Sequence, residues 1–344
     1  MTRKERVLSQ IQHRETDYLP YAGLSWEGDV AERLDAHYGN NRWRALAEEN
    51  KHIRKISSAS GYGVGVSDKD PLYRDAFGTV WSTSGRPEHL EEPCLQESSL
   101  AGYDFPIASD FLEPGWLERA EKEAEGMEGY FLVTSFGKGL FERTWAVRGY
   151  QDALMDSVAD PSFYEELVER IADLQMALVE ELLRLPVDGI MFSDDWGDQR
   201  GVILGPERWR RLIKPHLAKL YDRVHAAGRA TLSHCCGSVI DIMPDLIEIG
   251  LDVIESVQPE AMDPYELKRE YGKDMVFWGG LGSQSVIPFG TPEQIRSEVR
   301  RLCAEMGRGG GYILGPAKGL QPETSTENAA AVVEAFLEEV GVSI

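Results

Sequence analysis

Residues 230–257, ATLSHCCGSVIDIMPDLIEIGLDVIESV, decide the fold. The apolar run Ala230-Thr-Leu-Ser predicts a strand, residues 239–249 predict a helix that Gly250 ends, and Val253-Ile-Glu predicts the next strand. Two strands joined through a helix run parallel, because the helix returns the chain to the edge where the first strand began. The same unit is repeated on both sides of this stretch.

The repeated unit consists of a short apolar run followed by a helical pattern. The predicted strands are Tyr130-Phe-Leu-Val-Thr, Gly189-Ile-Met-Phe, Ala230-Thr-Leu-Ser, Val253-Ile-Glu, Met275-Val-Phe-Trp-Gly and Gly311-Tyr-Ile-Leu-Gly. The predicted helices cover residues 160–185, 206–227, 239–249, 263–271, 291–306 and 325–340. This alternation predicts an α/β fold with a parallel sheet, which is either open or closed into a barrel. No glycine-rich nucleotide-binding fingerprint follows a strand, so we favour the closed (β/α)8 TIM barrel.

The first part of the chain has a different pattern. Residues 2–13, 28–38, 42–57 and 112–127 predict helices, and Tyr18-Leu-Pro-Tyr-Ala-Gly-Leu predicts a first strand. Residues 59–110 are rich in Gly, Ser, Pro and Asp, which predicts a loop-rich insertion with hairpins. Within it, Val80-Trp-Ser-Thr predicts a short edge strand. Because no linker interrupts the chain, residues 1–344 are expected to form a single domain.

Composition narrows the class of protein. The chain has 344 residues, of which 42% are apolar and 27% charged, a balance typical of a folded enzyme-sized domain. The net charge of −22 repels phosphate backbones, so no nucleic-acid partner is expected. We find no apolar run of about 18 residues or more, so we expect no membrane association. The charged N-terminus does not resemble a signal peptide, and a cytoplasmic location is expected.

The segment His234-Cys235-Cys236-Gly237 follows a predicted barrel strand, at the end where active sites of such barrels lie. Side chains alternate along an extended segment, so His234 and Cys236 point one way and Cys235 the other. Imidazole and thiolate are zinc ligands, and Glu255, after the next strand, is a candidate third ligand. The alternatives are that the cysteines are buried structural thiols and that Glu255 is an ordinary rim acid.

Other polar residues follow the remaining strands. Asp195 is a candidate catalytic acid or base within Asp194-Asp-Trp-Gly-Asp-Gln199, although acidic loop residues also serve as helix caps. Lys318, after the last strand, is a candidate partner for an anionic substrate. The candidate substrate-binding residues are Trp196, Gln199, Gln258, Trp278 and Gln284.

Several of these motifs together resemble the uroporphyrinogen decarboxylase superfamily over almost the whole chain. The matching segments are Arg3-Lys-Glu-Arg-Val-Leu, Asp17-Tyr-Leu-Pro, Asp194-Asp-Trp-Gly-Asp-Gln, Pro206-Glu-Arg-Trp, His234-Cys-Cys-Gly-Ser, Val257-Gln-Pro-Glu, Phe277-Trp-Gly-Gly, Phe289-Gly-Thr-Pro-Glu and Gly309-Gly-Gly-Tyr. The resemblance implies a (β/α)8 barrel. It also implies one of two activities: decarboxylation of uroporphyrinogen without a cofactor, or zinc-dependent methyl transfer involving a corrinoid protein.

The decarboxylases of this superfamily bind their substrate with an arginine-rich N-terminal segment. The matching stretch here, Tyr21-Ala-Gly-Leu-Ser-Trp-Glu27, has no arginine. In the methyltransferases that handle coenzyme M, His-x-Cys and a later cysteine bind zinc. His234 and Cys236 match the first two, whereas Lys318 stands near the place of the third, and Glu255 or Asp195 is the expected substitute.

The resemblance therefore favours the demethylase-like methyltransferases. We expect zinc as a cofactor and a small methoxylated or N-methylated molecule as the methyl donor. The methyl group is expected to pass to a corrinoid (cobalamin) carried by a partner protein, because the chain has no room for a corrinoid domain. A homodimer is a possible assembly. The alternative function is decarboxylation of a carboxylated substrate.

Overall fold

The computed structural model describes residues 1–56, 59, 71–85 and 88–344, together with the backbone of residues 64–65. The helices, in chain order, are α1 Arg3–Ile11, α2 Val30–Tyr38, α3 Arg42–Asn50, α4 Trp116–Ala124, α5 Leu140–Arg148, α6 Tyr150–Ala159, α7 Pro161–Leu182, α8 Pro206–Leu212, α9 Lys214–Ala226, α10 Met243–Glu248, α11 Pro264–Tyr271, α12 Val286–Phe289, α13 Pro292–Met306 and α14 Thr326–Glu339. The strands are β1 Ile53–Lys55, β2 Val64–Gly65, β3 Leu72–Arg74, β4 Val80–Ser82, β5 His89–Glu92, β6 Phe131–Lys138, β7 Gly189–Ser193, β8 Gly197–Asp198, β9 Gly201–Val202, β10 Ala230–His234, β11 Val253–Val257, β12 Val276–Leu281 and β13 Tyr312–Pro316.

The central sheet is parallel, with the strand order β1-β6-β7-β10-β11-β12-β13. The segment around Tyr21 connects its two edges. On one side, the amide of Ala22 donates to the carbonyl of Leu314 at 2.9 Å. The amide of Leu314 donates in turn to the carbonyl of Pro20, also at 2.9 Å. On the other side, the amide of His52 donates to the carbonyl of Tyr21 at 2.9 Å. The Tyr21 segment thus takes the eighth place in the ring, and the predicted TIM-barrel fold is confirmed.

The inside of the ring is filled by alternate side chains from its strands. This interior cluster consists of Val7, Ala22, Ile53, Phe131, Val133, Leu232, Val253, Val276, Trp278 and Ile313. Val7 belongs to α1, which contacts β1, β6 and β13 and closes the amino end of the barrel. The opposite end, where the strands finish, is therefore the end at which polar side chains can meet a ligand.

Three predictions about the helices were wrong. The helix predicted over residues 42–57 ends at Asn50, and residues 53–55 form β1, because pairing with β6 buries Ile53 in the barrel. The helix predicted over 206–227 is divided into α8 and α9 near Pro215, since proline lacks an amide proton and is tolerated only in a first helical turn. Helices α5 and α6 lie between β6 and α7, where no helix was predicted.

The loop-rich insertion contains an antiparallel sheet with the order β2-β3-β4-β5. Strand β4 pairs with β3 on one side and β5 on the other, so the predicted edge strand at residues 80–83 is a central strand. Its Trp81 is buried, and the indole N–H donates to Asp75 at 3.1 Å. Parts of the predicted insertion, namely residues 60–63, 66–70 and 86–87, lie outside the described residues.

Among the described residues, no helix has both the length and the apolar composition that crossing a bilayer requires.

Candidate metal centre

The carboxyl ends of β7 and β10 bring together a nitrogen, a sulfur and a carboxylate. His234 is the last residue of β10, Cys236 follows two residues later, and Asp195 follows β7. The ligand atoms of these three side chains all lie within 4.8 Å of one another. Nε2 of His234 is 3.4 Å from Sγ of Cys236 and 3.8 Å from Oδ1 of Asp195. The sequence thus places three potential metal ligands at the mouth of the barrel.

The second nitrogen of His234 contacts a different carboxylate. Oε2 of Glu255 lies 2.5 Å from Nδ1, because β10 and β11 pair with His234 directly opposite Glu255. Burial opposes protonation of His234, but the carboxylate of Glu255 and the thiol of Cys236 outweigh it and raise the pKa of His234 well above its usual value. The imidazole is therefore held at Nδ1, which leaves Nε2 directed at Cys236 and Asp195.

The backbone around Cys236 fixes the position of Asp195. The amide of Cys236 donates to Oδ1 of Asp195 at 2.8 Å. Gly237 has a φ of +76°, and a Cβ at this position would lie 2.6 Å from the carbonyl oxygen of Asp198. Only glycine permits this close passage of the segment after β10 against the segment after β7. The glycine in His-Cys-Cys-Gly therefore brings the two strand ends into contact.

The two adjacent cysteines differ in their surroundings. Cys236 is half-buried and faces His234, whereas Cys235 is buried and its thiol contacts the carbonyl oxygen of Cys236 at 3.2 Å. Burial raises the pKa of the Cys235 thiol well above its usual value. The structure agrees with the alternation argument, which directed Cys235 away from the site.

The donor set fits a zinc ion. Zinc ligands lie about 2.0–2.3 Å from the metal, so two ligands of a tetrahedral site are about 3.3–3.8 Å apart. The separation of 3.4 Å between Nε2 of His234 and Sγ of Cys236 is within this range. Oδ1 of Asp195 is 3.8 Å from Nε2, slightly more than the roughly 3.3–3.5 Å of a nitrogen–oxygen pair, and a small rotation of the Asp195 side chain would close the difference. One imidazole nitrogen, one sulfur and one carboxylate oxygen are all accepted by zinc, and three protein ligands leave a fourth position for a substrate.

A buried carboxylate connects this centre to α5. Asp194 accepts hydrogen bonds from the amides of Phe141 and Glu142, at 2.9 and 2.7 Å, and from the indole of Trp196 at 2.7 Å. Burial raises the pKa of Asp194 to about 8. Burial, with Asp195 nearby, also raises the pKa of Glu142 to about 7. The sequence did not indicate Glu142, because only the capping of α5 by Asp194 brings it near the centre.

Among the predicted substrate-binding residues, Trp278 and Gln258 lie beside the centre. Trp278 is opposite Glu255 in the pairing of β11 and β12, and its side chain belongs to the interior cluster. Gln258 is buried, and its side-chain oxygen accepts from the amide of Gly237 at 3.4 Å. Trp196 is only 1% exposed and packs edge-on against Trp209, so its geometry is that of a structural residue.

The other predicted residues lie further out. Gln199 is exposed in the turn between β8 and β9, and Lys318 is exposed after β13. Gln284 is also exposed, and it lines a cavity of about 770 Å³ between the end of β12 and α13. The residues that line this cavity are Pro259, Gly280, Gly282, Gln284, Ser285, Val286, Phe289, Gly290, Gln294, Ser297 and Glu298. The cavity is separate from the three potential metal ligands.

The chain is similar to proteins of two activities. A uroporphyrinogen decarboxylase from Methylococcus capsulatus is 24% identical over 186 residues, which are 52% of this chain and 49% of that protein. The methylcobamide:CoM methyltransferase MtaA from Methanosarcina barkeri is 24% identical over 179 residues, 52% of this chain and 50% of that protein. The chain spans about half the length of the curated relatives it matches.

A solved structure of a methyltransferase from Methanosarcina mazei superimposes with a TM-score of 0.69 at 18% identity, covering 99% of this chain and 100% of the other. This likeness shows the shared fold. The family model described as uroporphyrinogen decarboxylase (URO-D) matches residues 142–338, which is more than half of the chain. The chain belongs to the uroporphyrinogen decarboxylase family.

Proposed function

We propose that this protein is a zinc-assisted methyltransferase that moves a methyl group from a small methoxylated or N-methylated substrate to the corrinoid of a partner protein. The observation that carries the proposal is the contact of Nε2 of His234 with both Cys236 and Asp195 at the carboxyl ends of the strands. The similarity to a methylcobamide:CoM methyltransferase supports the choice of methyl transfer.

The geometry favours different roles for Asp195 and Glu255 from those that the sequence suggested. We assign His234, Cys236 and Asp195 as the residues that would hold zinc, because their donor atoms converge. Glu255, which the sequence offered as a ligand, instead contacts Nδ1 of His234 on the far side of the ring. When bound, zinc would supply Lewis acidity that makes the demethylated oxygen or nitrogen a better leaving group.

The protein's own residues prepare this site. Glu255 accepts the Nδ1 proton of His234. When zinc displaces the proton on Nε2, this contact would keep Nδ1 protonated and leave the Nε2 lone pair for the metal. The amide of Cys236 holds Asp195 in place. The interior of the barrel beside the site, including Trp278, is apolar, which favours an uncharged methyl group there.

The methyl acceptor is proposed to be a corrinoid carried by a separate protein that docks at the open end of the barrel. Lys318 is exposed after β13 and so remains a candidate for contact with an anionic group at that rim. The partner protein and a homodimer remain predictions from the resemblance.

A second candidate function is decarboxylation of a carboxylated substrate. The similarity to a uroporphyrinogen decarboxylase, at the same 24% identity as the methyltransferase, favours it. Decarboxylation without a cofactor gives no role to a converged nitrogen, sulfur and oxygen set, which is why we place it second.

The test is transfer of a methyl group to reduced free cobalamin from a panel of methoxyarenes and methylamines, followed by the absorbance change of methylcobalamin formation. We expect transfer with at least one donor, and its loss in Cys236→Ala. Cys303→Ala, in a half-buried thiol on α13, is the matched control. Release of carbon dioxide from a carboxylated panel without methyl transfer would instead establish the second candidate.

A further inference from the structure

Lys55 lies inside the wall of the barrel. It is the last residue of β1, and Ile53, two residues earlier, packs in the interior cluster. Side chains two apart on a strand point to the same side, so Lys55 points into the barrel at its carboxyl end. Its partner on β6 is Val133, which is also an interior residue.

Within the described part of the chain, the side chain of Lys55 has neither a hydrogen bond nor an ion pair. Other lysines contact carboxylates: Lys4 lies 2.6 Å from Asp188, and Lys214 lies 2.7 Å from Asp245. The side chain of Lys55 is exposed, yet burial by the surrounding protein lowers the pKa of its ammonium group. A side chain that protein surrounds but solvent still reaches is expected in an open cavity. An enclosed cation without a counter-ion is suited to an anionic ligand.

The register places Lys55 at the height of His234. In an eight-stranded barrel of this type the strands are displaced by about eight residues over a full turn, or about one per strand. We start at His234 and cross β11, β12, β13 and the Tyr21 segment to β1. With one residue of displacement per strand, the residue of β1 at the height of His234 is Lys55. Strands about 4.8 Å apart and tilted by about 36° enclose a diameter of about 15 Å. In such a ring Lys55 and His234, three strands apart, lie at the same end of the barrel and on different sides of its mouth.

A second donor without a partner lies on the same inner wall. Nε1 of Trp278 is buried and has no hydrogen-bond partner among the described residues. Gly315 and Gly23 are packed against the ring: a Cβ at Gly315 would lie 2.8 Å from Nε1, and one at Gly23 would lie 3.4 Å from it. An unsatisfied buried N–H costs about 1–3 kcal/mol. Of these two donors, Lys55 is the one that a ligand can reach, because its side chain is exposed whereas Nε1 of Trp278 is closed to solvent.

We propose that the substrate is a methylated carboxylate, with its carboxylate bound by Lys55 and its methylated atom at the His234–Cys236–Asp195 centre. This inference rests on the proposed methyl transfer and names its substrate class. It also transfers the anion-binding role that the sequence suggested for Lys318 to a residue within the barrel.

Binding to the zinc-loaded protein tests this directly. The probes are the three isomers of methoxybenzoate and the corresponding methoxybenzamides, which have nearly the same shape without the charge, measured by isothermal titration calorimetry. We expect at least one methoxybenzoate to bind about 10-fold or more tightly than its amide, as one charge-assisted contact of about 1.4 kcal/mol provides. Lys55→Met should abolish this preference. Lys273→Met, an exposed lysine after α11 at the opposite end of the barrel, should keep it.

Equal binding of acid and amide, absence of binding by every methoxybenzoate, or a preference that survives in folded Lys55→Met would overturn the assignment. Circular dichroism verifies that the variant is folded, and Lys55→Arg, which keeps the charge, should retain part of the preference. Methyl transfer to reduced cobalamin is measured separately on the same proteins. A preference that depends on Lys55 without any methyl transfer would support the carboxylate site and refute the proposed methyl transfer.

Discussion

The carboxylate of Glu255 lies 2.5 Å from Nδ1 of His234, on the opposite side of the ring from Cys236 and Asp195. In the proposed zinc site this contact separates two roles that acids play, since Glu255 would orient the histidine and Asp195 would bind the metal. It follows from the register of β10 and β11, in which His234 and Glu255 are direct partners.

Glu255→Gln tests the orienting role. Loss of a carboxylate that holds a metal-bound histidine typically weakens metal binding about 10–100-fold, and we expect this decrease in zinc affinity, measured by competition with a chelator. His234→Ala should weaken zinc binding further, because it removes a donor atom. If the two substitutions weakened zinc binding equally, Glu255 would itself be a ligand and the division of roles would be wrong.

The adjacent cysteines should differ in reactivity. Cys236 is half-buried at the mouth, whereas Cys235 is 1% exposed and burial raises its pKa. We expect iodoacetamide to alkylate Cys236 in zinc-free protein and zinc to protect it, with Cys235 unmodified in both states. Peptide mass spectrometry distinguishes the two sites. Preferential modification of Cys235 would contradict the orientation of the segment after β10.

Gly237→Ala should destabilise the protein strongly. A Cβ at Gly237 would meet the carbonyl oxygen of Asp198 at 2.6 Å, in addition to the cost of its positive φ. Gly228 has a similar φ of +69° with nothing within 4 Å, so Gly228→Ala is a matched control that isolates the conformational cost. We expect about 1 kcal/mol for the control and about 2 kcal/mol more for Gly237→Ala, from urea denaturation. Equal losses would show that the two strand ends are not in close contact.

Asp194→Ala should also be costly. It removes the acceptor for two amides at the start of α5 and for the indole of Trp196. Since each unsatisfied buried donor costs about 1–3 kcal/mol, we expect a loss of about 3 kcal/mol or more in the free energy of unfolding. Asp198→Ala, which removes an acceptor for the amides of Arg200 and Gly201 near the surface, should cost less than about 1 kcal/mol. Similar values for both variants would exclude Asp194 as the link between β7 and α5.

Much of the barrel could be predicted from the sequence, since its later strands are short apolar runs and its helices carry clear end signals. Strand β1 could not, because Ile-Arg-Lys is too short to show alternation and continues a helical pattern. Only its pairing with β6 makes it a strand. Lys55 was missed for the same reason, since a residue assigned to a helix cannot be placed in the barrel mouth.

The candidate site was predicted in part. The position of His234, Cys236, Asp195 and Glu255 after strands identified them as neighbours. Which carboxylate faces which nitrogen of the ring depends on strand register and on the tight turn at Gly237, and neither is visible in local sequence. Trp196 could not be recognised as buried, because its partners Asp194 and Trp209 define its position only in the folded chain.

The most direct test of the account is X-ray absorption at the zinc edge on protein purified without chelators. We predict about one zinc per chain, with one sulfur at about 2.3 Å and nitrogen or oxygen ligands at about 2.0–2.2 Å, and loss of the sulfur signal in Cys236→Ala. Protein without zinc that still transfers methyl groups, or a zinc site with no sulfur ligand, would contradict the assignment of His234, Cys236 and Asp195 as the metal centre.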